Sequence, residues 1–167
     1  FVDFFLPLIG IERTRLDEGK SANEKAAEKF ARLYNTLYGN LKVKDPESIN
    51  SLNTTISRVL FCFYIDGNGL MKSGSMHHLL NNYSDDSGSD LKDLLEKIFE
   101  VFVKENREDL PSHLTTLPEL KNSLFSCTVD VPEFDKPTRK ILLEISEFNW
   151  SALNPDILGS LIQSVAL

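Results

Sequence analysis

The residues of this 167-residue chain whose types could hold a metal, act as a nucleophile or move a proton are three histidines, two cysteines and one acid-glycine turn. Asp66-Gly-Asn-Gly69 offers alternating oxygens like the opening of a calcium loop. Leu70 stands where the third ligand belongs, however, and no acidic residue closes the loop, so the segment reads as a helix stop and turn. His77 and His78 are adjacent and on a helix would point about 100° apart, which prevents them from holding one ion together. His113 has no carboxylate or cysteine at a ligating offset, and the neighbouring Ser112 does not make a triad, a constellation assembled in space. Cys62 and Cys127 lie far apart, each beside apolar residues, and read as buried free thiols in a reducing compartment. Asp85-Asp86 and Asp90 fall in a Ser/Gly-rich stretch that reads as a mobile acidic loop. No glycine-rich phosphate cradle occurs in the chain. No catalytic, cofactor-binding or metal-binding residue is therefore assigned; an enzyme would need Asp66, His77 or His113 to converge in one pocket.

Helices must position these residues, and the spacing predicts a mostly α, bundle-like domain with a proline-containing loop region and at most a short strand or hairpin. Ser21-Ala-Asn-Glu24 is a capping box. It opens a helix with Ala27, Phe30, Ala31, Tyr34 and Leu37 on one face, ending at Gly39. Asp45-Pro46 starts a second, with Ile49, Leu52, Ile56, Val59, Leu60 and Phe63 at helical spacing. A short helix after Ser75 would turn Met76, Leu79, Leu80 and Tyr83 inward. An amphipathic helix follows from about Asp90 to Asn106, with Leu91, Leu94, Leu95, Ile98, Phe99, Phe102 and Val103 apolar. Leu110 to Pro132 carries three prolines and reads as loop, with one short strand at Cys127-Thr-Val-Asp-Val131. Asp135 caps a helix through Ile141, Leu142, Ile145 and Phe148. Trp150 is expected as a core anchor whose indole N–H finds a backbone partner.

Both ends read as cuts through a longer protein. Asn154-Pro155 starts a helix in which Leu158, Leu161, Ile162 and Val165 recur, yet nothing closes it before Leu167. At the other end Phe1 to Leu8 is an apolar run. The formal charge of −7 and pI near 5.0 disfavour direct binding to a phosphate backbone. No apolar run reaches the roughly eighteen residues needed to span a bilayer, so a cytoplasmic location is expected.

Ser57-Arg-Val-Leu-Phe-Cys-Phe-Tyr-Ile-Asp-Gly-Asn-Gly-Leu70, Leu124-Phe125, Pro132-Glu-Phe-Asp135 with Arg139-Lys-Ile-Leu-Leu-Glu144, and Glu147-Phe-Asn-Trp-Ser-Ala-Leu-Asn-Pro-Asp-Ile-Leu-Gly-Ser-Leu-Ile-Gln163 occur in that order. This series resembles the helical spacer, or connector, of large bacterial adenine-specific DNA methyltransferases, the single-chain type II restriction-modification family. Phe4 to Gly10 and Lys25 to Lys29 extend the resemblance to nearly the whole chain. Two positions depart from the family pattern: Asp66-Gly67 where an acidic pair is usual, and Asn149 where Asp is common. The resemblance implies that residues 1–167 are one noncatalytic helical connector. An S-adenosylmethionine-dependent methyltransferase domain would follow Leu167, and a nuclease-like region could precede Phe1. It implies that DNA is met through the parent and not mainly through this acidic segment. Trp150, Phe148, Pro155 and Gly159 are the residues expected to fix the geometry of the connector. The alternative is a free-standing helical module that binds a protein partner through an apolar face.

Overall fold

The computed structural model describes residues 20–152 apart from Ser73 and residues 121–122. The expectations at Phe1 to Gly10, Pro155 and Gly159 lie outside the described residues. Five α-helices are described: α1 (Lys20–Asn40), α2 (Pro46–Gly67), α3 (Ser75–Asn82), α4 (Leu91–Val103) and α5 (Lys136–Ser146), with 3₁₀ turns at Ser123–Phe125 and Trp150–Ala152. The bundle-like, mostly α expectation holds. No strand is present among the described residues, and Cys127 to Val131 is loop.

Local signals account for the helix starts. Asp45 caps α2, its carboxylate accepting from Ser48 N at 2.8 Å, with Pro46 at the first helical position. Asp135 caps α5 in a reciprocal capping box with Thr138, at 3.0 Å and 2.8 Å. Asn68 ends α2 and Gly69 follows at φ +80°, a conformation that glycine adopts at little steric cost.

The core is one apolar cluster built from all five helices and the loop residues Leu114, Leu117, Val131 and Phe134. In α1 the buried face is Ala26, Ala27, Phe30, Leu33 and Leu37, so the stripe is rotated from the expected one and Ala31 and Tyr34 lie at its margin. The first and last described helices, α1 and α5, pack directly on each other, and α2 packs between α1, α3 and the Trp150 turn.

Two helices stop earlier than their sequence pattern suggests. Tyr83 is the C-cap of α3 and is 43% exposed instead of inward; the helical period ends one residue before it. Likewise α4 ends at Val103, 40% exposed, because Lys104 turns extended. Arg107 and Leu120 then bond carbonyls of that last turn. Arg107 Nη2 donates to Val101 O at 3.0 Å, its Nη1 donates to Leu117 O, and Leu120 N donates to Phe102 O at 2.5 Å.

The Asp85–Asp90 stretch is a hydrogen-bonded turn. Asp90 Oδ1 accepts from Asp85 N at 2.8 Å, and Gly88, at φ +74°, lies against the Asp135 backbone so closely that an added Cβ would stand 2.5 Å from Asp135 O.

Candidate functional site

Trp150 closes the bundle. Its ring stacks on Phe63 of α2 with centroids 5.5 to 5.6 Å from three aromatic neighbours, meeting Phe30 of α1 and Phe148 edge-on. The indole N–H donates to Ile145 O at the end of α5, 3.0 Å away, as expected for a buried Trp. The turn that carries Trp150 comes so close to the end of α2 that a Cβ on Gly67 would lie 2.5 Å from Trp150 Cβ and 3.0 Å from its carbonyl carbon. Gly67 is thus a close-approach glycine as well as the last residue of α2. Sequence reading placed it only in a turn.

Arg58 is a second anchor. It is 2% exposed in the middle of α2, where its guanidinium lies 5.4 Å from the ring centres of both Phe99 and Phe125. Nε donates to Leu124 O at 2.9 Å and Nη2 to Cys127 O at 2.6 Å. Burial lowers the pKa of the guanidinium, and its hydrogen-bond acceptors are backbone carbonyls and the Cys127 sulfur, not a carboxylate. The charge is held by oriented dipoles and ring faces. A signal for this existed in the sequence: a lone arginine among Ile56, Val59, Leu60, Cys62 and Phe63 on an otherwise apolar face.

Arg139 ties another junction by different partners. It donates from Nε to Ser84 Oγ at 2.9 Å and from Nη2 to Asn81 O at 3.2 Å, tying α5 to the end of α3, with Asp86 3.5 Å from Nη1.

The sequence candidates for chemistry are scattered. Asp66 is largely buried at the end of α2, where its Oδ1 has no hydrogen-bond partner. Burial pushes its carboxyl above the ordinary carboxylate value, against the pull of the Met76, Ser75 and Gly74 N–H groups at the start of α3. His77 Nδ1 meets Ser146 Oγ at 2.6 Å, and Ser146 Oγ in turn donates to Leu143 O, a tie between α3 and α5. His78 is exposed and bonds Asn82, while His113 stacks on Tyr83 with centroids 4.0 Å apart. Asp66, His77 and His113 thus have separate partners, and no group of three His, Cys, Asp or Glu side chains able to hold a metal occurs among the described residues. Cys62 is buried, with its thiol pushed up by desolvation. Cys127 is exposed, contrary to the expectation of a buried thiol, because its segment is loop; both its carbonyl and its sulfur meet Arg58 Nη2.

Comparison with known proteins fits this bundle. Residues 50–125 match the protein family described as MmeI, helicase spacer domain, a stretch that covers α2 from its second turn, α3, α4 and the Arg58 contact at Leu124. A solved structure, the type IIL restriction-modification enzyme MmeI in complex with DNA, matches 84% of this chain at a TM-score of 0.71 and 27% identity. DNA methyltransferase A of Bacillus subtilis (strain 168) is 36% identical over 99% of it. Residues 50–125 are thus similar to an MmeI-type spacer segment. The chain spans only 19% of the length of either relative, so the spacer corresponds to one part of much larger proteins. Arg58 and Asp66 fall inside the matched stretch, whereas Trp150 and Arg139 lie beyond it.

Proposed function

We propose that this spacer is a noncatalytic helical connector of a larger site-specific DNA methyltransferase, holding an adenine-specific methyltransferase module at a fixed orientation to a nuclease or recognition module. One observation carries the reading: α1 and α5 pack on each other and Trp150 locks α2 against both, so the first and last described helices belong to one body. A rigid body of this kind transmits orientation, which a flexible linker would lose. S-adenosylmethionine would be a cofactor of the parent. The described residues do not fit it, for the glycines with positive φ (Gly69, Gly74 and Gly88) sit in turns between helices and none follows a strand. DNA would be met through the parent's other modules, in keeping with the net charge of −7. A cytoplasmic location follows from the methyltransferase reading, and no described helix is long and apolar enough to cross a membrane.

The test is Trp150→Ala in the full-length parent, read by small-angle scattering and by methyl transfer to a cognate duplex. Lost packing should broaden the inter-module distances and slow methylation. Unchanged scattering and methylation in a variant shown by hydrogen exchange to have lost the Trp150 packing would reject the connector role. The alternative, a free-standing protein-binding module, would then lead.

A further inference from the structure

A groove of roughly 770 Å³ runs between the first half of α2, the second half of α4 and the loop 125–130. Its two faces differ in kind. Arg58 lines it, and although Nε and Nη2 are engaged, Nη1 donates to no atom among the described residues. A buried guanidinium that lines the groove therefore keeps one unused donor group. Glu47 on α2 and Glu100 on α4 line the same space, both exposed and neither ion-paired among the described residues. Glu96 and Asp130 also line it, but Lys92 is bonded to Asp130 and lies 3.2 Å from Glu96, so those two acids are already neutralised. What remains is a donor in the wall and two unpaired carboxylates.

We propose that this groove receives a lysine-bearing segment of an adjoining module of the parent chain, a backbone carbonyl accepting from Arg58 Nη1 and the lysine ammonium meeting Glu100 or Glu47. The proposal rests on the connector reading above and names the surface through which orientation would be set. A peptide supplies both a carbonyl acceptor and a cation, which is the complement of the groove. A phosphate backbone supplies acceptors only and would face two uncompensated carboxylates.

Zero-length carbodiimide coupling in the full-length parent tests this, since it joins only a carboxylate and an amine already in contact. The Lys92–Asp130 and Lys92–Glu96 pairs serve as internal positive controls. A cross-link from Glu47 or Glu100 to a lysine outside residues 1–167, lost in the Glu47→Gln/Glu100→Gln double variant, is the expected result. Carbodiimide labelling of Glu47 and Glu100 with a small amine should also be several-fold slower than that of the exposed Glu28 and Glu133, and should recover in high salt. Free labelling of both acids with the Lys92 controls intact would overturn the docking claim. So would a cross-link only to a separate polypeptide, or protection that appears only when duplex DNA is added. The scattering result for Trp150→Ala is independent of these outcomes, so the groove and the connector role can fail separately.

Discussion

Trp150 contributes both area and a hydrogen bond. Truncating it to Ala should cost about 3–5 kcal/mol in the 167-residue chain, measured by urea denaturation. A midpoint equal to that of the parental chain would show that the three ring contacts carry no net stability. Gly67 depends on the same turn. Gly67→Ala would force its Cβ against Trp150 Cβ and backbone, neither of which is the free end of a flexible side chain. A cost of about 1–3 kcal/mol is expected, whereas Gly39→Ala, with open space around it, should be tolerated. Asp66 behaves differently, because its folded-state pKa lies above the ordinary value. Its contribution to stability is complete below the unfolded value of about 3.9 and is lost as pH rises through the folded value, so the ionised form is a burden at neutral pH. Asp66→Asn should therefore stabilise the fold more at about pH 7 than at about pH 4; denaturation midpoints that fall equally at both would contradict this.

At the level of elements, the caps were legible and the stops were not. Asp45-Pro46 and Asp135 with Thr138 announce helix starts because one side chain answers the orphan amides of its own first turn, a short-range event written in adjacent residues. The ends of α3 and α4 depend on Arg139 and Arg107, which reach carbonyls from another element or from beyond the helix. Nothing in the local spacing marks that, so the pattern places Tyr83 inward and Val103 in the apolar stripe, although both sit where the helical period has ended. Trp150 was legible as an anchor, whereas Arg58, Gly67 and the exposure of Cys127 depend on contacts far apart in sequence. Asp135→Ala should cost about 1 kcal/mol through loss of the cap. Asp135 also accepts from Asn40 Nδ2 at 3.0 Å, linking the end of α1 to the start of α5. Burial opposes ionisation of Asp135, but the Thr138 and Asn40 hydrogen bonds outweigh it and hold the carboxyl below the ordinary value. Its contribution is present above the unfolded value and is lost as pH falls through the folded one, opposite in sign to Asp66. Asp135→Ala should accordingly lose less stability in strong acid than at neutral pH, which paired denaturation curves would reveal.

Across the whole molecule, α2 is the common support. It meets α1, α3, the Trp150 turn and, through Arg58, the loop that walls the groove. Replacing Arg58 with Met would leave Leu124 O and Cys127 O without their donor, at about 1–3 kcal/mol for each carbonyl that stays dry. Arg58→Lys should recover little, because a single ammonium cannot reproduce the fork that spans both carbonyls. Hydrogen exchange should show faster exchange confined to residues 124–131, whereas uniform acceleration would mean that the arginine supports the entire core.

Arg58 and Arg107 share a habit of addressing main-chain carbonyls, and every amino acid supplies a carbonyl. The segments they hold are therefore specified by position and hardly at all by side-chain identity. Substitutions at exposed loop positions such as Ser126, Thr128 or Glu119 could accumulate through descent while the scaffold beneath kept its shape. Relatives of this chain could thus diversify their surfaces without reinventing their architecture.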